Sequence, residues 1–386
     1  MWTGLTLATA RLTERRRHIV VPPLLNTHSP IFARRSMAMC SVGERLVLFG
    51  GVGAAGTESI LDVSNDCWVF DPTSLVWREV EHQGEWPSPR RCVGVAPTAS
   101  GLFLWGGSGL ASTTSGPRYT FLNDWWHFNP SSGQWSQRRE SDDHRSSPTV
   151  GAGDRYPCPR YTPVFASVGE EFFLFGGYTE DRLGKRKLND AWVGDGADWT
   201  PVPITGAEGY ASLATWPGPR YGCMSAASGS SVFVCGGFSD TGDHNDLWQF
   251  DLKSRQWRLL MPESADSSGP VPRYCAALAY DRERLFLFGG RSRRDPKANY
   301  NDLWVFDLHT HQWQCLSPNR SPHRYDAGAA FPAYHAKSSA AVVGRNWYVW
   351  GGEGQHGHVS DFWRFSLNRH TWELVQAARD DDPRFW

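Results

Sequence analysis

Few residue groups in this chain have the types and spacing to do chemistry. Arg291-Ser292-Arg293-Arg294-Asp295-Pro296-Lys297 concentrates cations in one short stretch, and Arg182, Lys185, Arg186 and Lys187 form a second. Guanidinium forks pair well with carboxylates, so both stretches suit capture of an acidic partner. Glu353, His356 and His358, with Asp361 beyond, are ligand types for a metal ion. The competing reading, a polar loop beside a structural Asp, is adopted, and no metal or other cofactor is expected. Gly51-Val52-Gly53-Ala54-Ala55-Gly56 matches a dinucleotide-binding glycine pattern. Such a site needs a βαβ unit behind it, and here a strand is expected next. No catalytic residue is assigned.

The bulk composition narrows the classes. The 386 residues carry 39 Lys+Arg against 40 Asp+Glu, a net charge of -1. A dedicated nucleic-acid binder usually shows a basic excess, so no nucleic-acid partner is expected. No apolar run approaches the ~18 residues of a membrane span. The eight Cys are dispersed without metal-like spacing. They read as small buried hydrophobes in a reducing compartment, which favours a cytoplasmic location. Residues 1–33 differ, with Arg11, Arg15, Arg16, Arg17 and His18 against one acid, Glu14. This basic extension reads as an ordinary tail or, alternatively, as a mitochondrial or other organelle-targeting segment.

The elements that would position these groups are set by an internal repeat. A glycine pair follows an apolar run six times: Gly50-Gly51, Gly106-Gly107, Gly176-Gly177, Gly236-Gly237, Gly289-Gly290 and Gly351-Gly352. Sixteen residues before each pair stands Arg34, Arg90, Arg160, Arg220, Arg273 or, as the exception, His335. Downstream comes an Asp-x-Trp block ending at Trp68, Trp126, Trp192, Trp248, Trp304 or Trp363. A closing Trp follows nine residues later at Trp77, Trp135, Trp257, Trp313 and Trp372, and seven later at Trp199 in the third copy. Each copy offers four short strands. The first is rich in small residues such as Ala38, Ala96 and Ala277. The second is a continuous apolar run such as Leu285-Phe286-Leu287-Phe288, which implies burial on both faces. The glycine pair is expected to end that second strand, and the third strand alternates.

These residues resemble the kelch motif, over roughly residues 34 to 376. The resemblance implies an all-β protein: a six-bladed β-propeller of four-stranded antiparallel kelch blades. The reading divides the chain into a basic extension 1–33, a propeller 34–377 and a tail 378–386. The blades fall at about 34–80, 90–138, 160–203, 220–261, 273–316 and 335–376. Trp2-Thr3-Gly4-Leu5-Thr6-Leu7 looks like a stray edge strand.

In such a blade the second-to-third loops and the blade-to-blade connections open on one face. These segments vary in length here, whereas the turns on the opposite face are nearly constant. A rigid frame with variable loops on one face puts recognition on that face. The expected partner-binding residues are therefore Arg291, Arg293, Arg294, Lys297, Arg182, Lys185 and Arg186, together with Tyr161, Tyr221 and Tyr274, which follow the repeat Arg in three successive blades. Arg and Tyr are enriched at interface hot spots. The repeat arginines themselves read as structural.

The function expected is a protein-interaction scaffold that binds a partner protein or peptide of acidic character. The chain also resembles kelch substrate receptors of ubiquitin ligases, which capture a C-terminal carboxylate with arginines in the propeller mouth. Arg291 matches one such arginine. The second falls near Pro296, with Lys297 adjacent, and Ala336 stands where a serine is expected. No adaptor-binding element is evident in the sequence, so ligase membership calls for a partner or a further segment. A kelch-fold enzyme, mutarotase-like or metal-dependent, is the second class, although no motif points to its chemistry.

Overall fold

A computed structural model describes residues 30–53, 63–113, 116–139, 156–181, 184–196, 198–203, 216–264, 268–295, 299–319, 331–354 and 357–377. These form six antiparallel sheets, each ordered first-second-third-fourth strand in sequence. Blade four is representative: Met224–Ser228, Ser231–Phe238, Asp243–Asp251 and Gln256–Met261. In blades one and two a two-residue strand, Arg34–Arg35 or Arg90–Arg91, adds to the far end of the second strand. The first strands touch their neighbours in a closed cycle of six around one axis, the last touching the first. The chain is thus a six-bladed β-propeller. No helix long and apolar enough to cross a membrane occurs among the described residues.

The core is divided among six wedges, one between each adjacent pair of blades. The continuous apolar runs follow from this. In Leu46-Val47-Leu48-Phe49, Leu46 and Leu48 pack toward blade six, while Val47 and Phe49 pack toward blade two. Alternate residues of a strand point to opposite faces, and both faces here meet a neighbour. The closing Trp side chains fill the wide outer part of the wedges: Trp135 packs at a tilt against Phe49 of the preceding blade at 5.1 Å and against its own Phe128 at 5.0 Å. Each buried Trp removes roughly 150–250 Å² from water, which accounts for the 20 Trp of the chain.

The glycine pairs differ from the expectation. In five blades the second strand runs through the pair instead of ending there, as in Arg45–Gly53 and Asn346–Glu353. Only in blade five does it stop before the pair, at Phe288. Each of those five strands shifts register at the first glycine, between Cys235 and Gly237 in blade four for instance. The bulge lets the strand continue past a conformation other residues rarely adopt. The cause is a close approach of the next blade. A Cβ on Gly236 would lie 2.7 Å from the Arg273 carbonyl, which accepts the Gly237 N–H at 3.0 Å.

A second closed cycle lies at the start of the first strands. Ser36, Cys92, Thr162, Gly222, Cys275 and Lys337 all have φ between 50° and 65°. Each backbone N–H donates to the carbonyl of the preceding member: Cys92 to Ser36, Thr162 to Cys92, Gly222 to Thr162, Cys275 to Gly222, Lys337 to Cys275 and Ser36 to Lys337, at 2.8–3.5 Å. All four strands of blades one and six come from consecutive sequence. Closure rests on this backbone ring and on the wedge that packs Met39, Leu46, Leu48 and Phe70 against Tyr348, Trp350 and Phe362. Trp2–Leu7 and the rest of 1–29 lie outside the described residues, as does 378–386.

Candidate functional site

The repeat arginines are consumed by the frame. The Arg90 guanidinium gives its donors to both Asp124 carboxylate oxygens at 2.6 and 2.7 Å, to the Gly106 and Ser88 carbonyls and to Ser88 Oγ. Trp126 Nε1 completes the set by donating to Asp124 Oδ2 at 2.7 Å. Arg160 and Arg273 likewise reach both oxygens of Asp190 and Asp302, and Arg34 and Arg220 reach Oδ1 of Asp66 and Asp246. Burial works to lower the Arg160 pKa, but the charge and hydrogen bonds of Asp190 and Cys158 together outweigh it, and the net direction is up. In blade six the shorter His335 takes the Arg position. Its Nδ1 meets the Gly351 carbonyl at 2.8 Å, and its Nε2 lies 3.4 Å from Asp361 Oδ2, both side chains fully buried.

The residue after each repeat Arg pairs with the residue after each glycine pair, which puts two side chains per blade at the mouth. The pairs are Arg35 with Val52, Arg91 with Ser108, Tyr161 with Tyr178, Tyr221 with Phe238, Tyr274 with Arg291, and Ala336 with Glu353. The mouth is therefore two-sided. Over blades two to five an aromatic arc runs from Phe121 to Tyr161 (5.1 Å), Tyr178 to Tyr221 (5.6 Å), Tyr221 to Phe238 (5.7 Å) and Phe238 to Tyr274 (5.9 Å). Tyr221 and Tyr274 are buried within it, and Tyr161 is half-buried. Burial pushes the Tyr221 phenol up to about 12, and Tyr161 and Tyr274 up as well, so all three remain neutral hydroxyls. Cations edge the arc: Arg91 over Tyr119 at 4.8 Å, Lys187 over Phe238 at 5.1 Å and Arg293 over the same ring at 4.9 Å.

Across blades five, six and one the mouth is charged. Glu353 receives Arg291 on Oε1 at 3.0 Å, and Lys337 and Arg35 on Oε2 at 2.9 and 3.1 Å. Burial alone would raise this carboxyl, but Lys337, Arg291 and Arg35 together hold it down to about 2. Arg291 is thus engaged inside the protein. Arg293 and Arg294 are exposed, and their loop is anchored by Asp243 of the neighbouring blade, whose Oδ2 accepts Ser292 Oγ at 2.6 Å and the Arg293 N–H at 2.8 Å. Lys185 is exposed, Arg186 is half-buried, and Lys187 pairs with Asp240. Arg182 and Lys297 lie outside the described residues, as does His356.

Sequence reasoning missed Glu353 as the hub, its partners Arg35 and Lys337, the anchor Asp243, and Tyr178 and Phe238 in the arc. A signal existed for several. Arg35 and Arg91 occupy the register position that singled out the three tyrosines, and Tyr178, Phe238 and Glu353 share that of Arg291. Among the described residues one set could hold a metal: His244, Asp246 and Glu263, with ligand atoms within 4.8 Å of one another. Both Asp246 oxygens are taken, by Arg220 and by Trp248, so this set is a polar network and not a metal centre. All eight cysteines are free thiols.

Comparison with known proteins places the architecture. The chain matches the KLHDC2/KLHL20/DRC7 Kelch-repeats domain over residues 22–153, 143–329 and 263–384. It is 23% identical over 304 residues to Kelch domain-containing protein 10 of Bos taurus, covering 77% of this chain and 62% of that protein. It is 23% identical over 351 residues to the leucine-zipper-like transcriptional regulator 1 homolog of Drosophila melanogaster, covering 89% of this chain and 32% of that one. Against the flagellar outer arm dynein alpha chain of Chlamydomonas reinhardtii it is 27% identical over 255 residues, 62% of this chain and 5% of that one. The matches thus span less than two thirds of each relative's own length. With six blades, the Arg-Asp-Trp network in five of them and a His-Asp-Trp version in the sixth, this chain belongs to the kelch-repeat proteins of the KLHDC2/KLHL20/DRC7 domain family.

Proposed function

We propose that this propeller is a protein-interaction scaffold whose variable-loop face engages an acidic segment of a partner protein. Its kelch membership supports the scaffold role in general. The finer reading rests on one observation: cations from blades one, five and six converge on the single carboxylate of Glu353, beside an aromatic arc edged by Arg293 and Lys187. After Glu353 is satisfied the cluster retains excess positive charge, and the exposed Arg293 and Arg294 extend it outward. An acidic peptide with aromatic or apolar side chains complements both halves of the mouth.

The test is a pull-down followed by titration of the captured partner against wild type and against a chain carrying Arg293→Ala and Arg294→Ala. Affinity should fall in the double variant and with added salt, because exposed charges are screened within ~10 Å at 0.1 M. Melting temperature should not change, since exposed charges contribute little to folding. Equal binding by the double variant, or contacts confined to the constant turns, would refute the assignment of the face. The cation cluster also favours a narrower version, in which the acidic group is a C-terminal carboxylate presented to a ubiquitin ligase. Amidation of the partner's C-terminus separates the two.

A further inference from the structure

Blade four carries a constellation that neither the repeat nor partner binding requires. Ser239 Oγ lies 2.6 Å from His244 Nε2, and His244 Nδ1 is hydrogen-bonded to a Glu263 carboxylate oxygen. A carboxylate on Nδ1 fixes the tautomer with its proton there and leaves Nε2 as an acceptor aimed at the serine hydroxyl. The Thr241 N–H donates to Ser239 Oγ at 3.1 Å, and the same oxygen lies 2.8 Å from Thr241 Oγ1 and 3.4 Å from the Gly242 carbonyl, so the imidazole nitrogen at 2.6 Å is the nearest acceptor for its proton. Nucleophile, base and orienting acid thus stand in hydrogen-bond sequence. The frame does not ask for them. The position of His244, two residues before the repeat Asp, is Ser64, Leu122, Leu188, Tyr300 or Val359 in the other blades. The position of Glu263, six residues after the closing Trp, is Gln83 or Asn319 in blades one and five.

We infer that Ser239, His244 and Glu263 form an acyl-transfer site, with Ser239 as nucleophile, His244 as general base and Glu263 as its positioning residue. The Arg294 guanidinium packs on the same turn: a Cβ built on Gly242 would lie 3.2 Å from both its Nε and Nη2. Its side chain makes no hydrogen bond or ion pair among the described residues, which leaves it available to a carbonyl oxygen as negative charge develops there. Ser239 and His244 are buried, whereas Asp240, Thr241 and Glu263 are exposed, so the hydroxyl lies just under the turn and a small acyl group suits it. The substrate class is a short carboxylic ester bearing a negative group, which the exposed Arg293 and Arg294 would attract. In the reaction, Ser239 Oγ bonds to the acyl carbon and its proton passes to His244 Nε2. The ester C–O bond breaks, and the leaving alkoxide takes that proton. Water then attacks the acyl-serine with its proton passing to His244, and Ser239 leaves reprotonated, so ester and water become acid and alcohol.

The test is labelling of the full chain with a fluorophosphonate probe, mapped by mass spectrometry, together with hydrolysis of a short 4-nitrophenyl ester. Ser239 should be the labelled residue. Labelling should vanish in Ser239→Ala and fall at least about tenfold in His244→Gln, with melting temperature and circular dichroism showing that the variants fold. Glu263→Gln should lower both rates, with Glu263→Asp restoring part of the loss, which a merely structural role for an exposed side chain would not produce. No labelling of folded wild type, labelling elsewhere, or equal labelling of wild type and His244→Gln overturns the inference. Ser239→Ala should still bind the partner protein, so failure here and failure of the binding reading are distinguishable.

Discussion

The backbone N–H of Ser36 donates to the carbonyl of Lys337 at 3.0 Å, across 301 residues of sequence, and thereby joins the first blade to the last. The same Lys337 sends its ammonium to Glu353, which also holds Arg35, the neighbour of Ser36. Ring closure and the charged half of the mouth are therefore one structure, in which backbone geometry sets the spacing of the cations.

The ring should be sensitive at its one glycine. Gly222 has φ +65°, and a Cβ there would lie 3.0 Å from Cys275 Sγ and 3.2 Å from Tyr274 Cδ2. Gly222→Ala should destabilise by about 1–2 kcal/mol, the left-handed backbone cost of an L residue plus local crowding. Urea denaturation at fixed m-value measures it. A neutral result would mean that the ring relaxes freely.

The buried Arg-Asp pairs should behave unlike the surface ones. Asp124→Asn leaves the Arg90 guanidinium buried without its carboxylate and should cost roughly 3–5 kcal/mol. Glu373→Gln, which removes the partner of Arg364 at a well-exposed carboxylate, should cost less than about 1 kcal/mol. Comparable losses for the two in chemical denaturation would contradict the burial argument.

Glu353 predicts a definite pH dependence. Its folded pKa is depressed to about 2 by Lys337, Arg291 and Arg35 against the opposing effect of burial. A depressed acid contributes stability that is present above its unfolded value, near 4.3, and is lost as pH falls through the folded value. Wild type should exceed Glu353→Gln by roughly 2–3 kcal/mol at pH 7, with the gap closing between about pH 5 and pH 2. Thermal melts of both proteins across that range decide it, and a pH-independent gap would assign the effect to packing.

Trp248 tests the division of the core. It is buried in the wedge between blades three and four, and Trp248→Ala should cost roughly 3–5 kcal/mol. Because each blade leans on its neighbours, hydrogen exchange should quicken in blades three and four before blades one and six. Trp304, the equivalent in blade five, is only half-buried and should cost less.

The sequence by itself determined the number of blades, their strand order and the structural character of the repeat arginines and tryptophans, whereas it placed the paired glycines at strand ends instead of at the bulges they form in five blades. Blade number, strand order and those structural roles are properties of local spacing, and a pattern repeated six times leaves little freedom in register. It also indicated which face would carry Tyr161, Tyr221 and Tyr274, because strand direction assigns each loop to one end of a blade. Only the tertiary structure decided which side chains meet there. Arg35, Arg291, Lys337 and Glu353 come from three blades and converge because the ring closes, an event that no single repeat encodes. The packing of blade six on blade five also turned Arg291 from an expected free cation into the partner of Glu353, while leaving Arg293 and Arg294 exposed. Ser239, His244 and Glu263 are likewise unremarkable in sequence. A bulged hairpin and the return of the connection after the fourth strand bring them within hydrogen-bond reach, and such contacts depend on how strands pack and not on how residues are spaced.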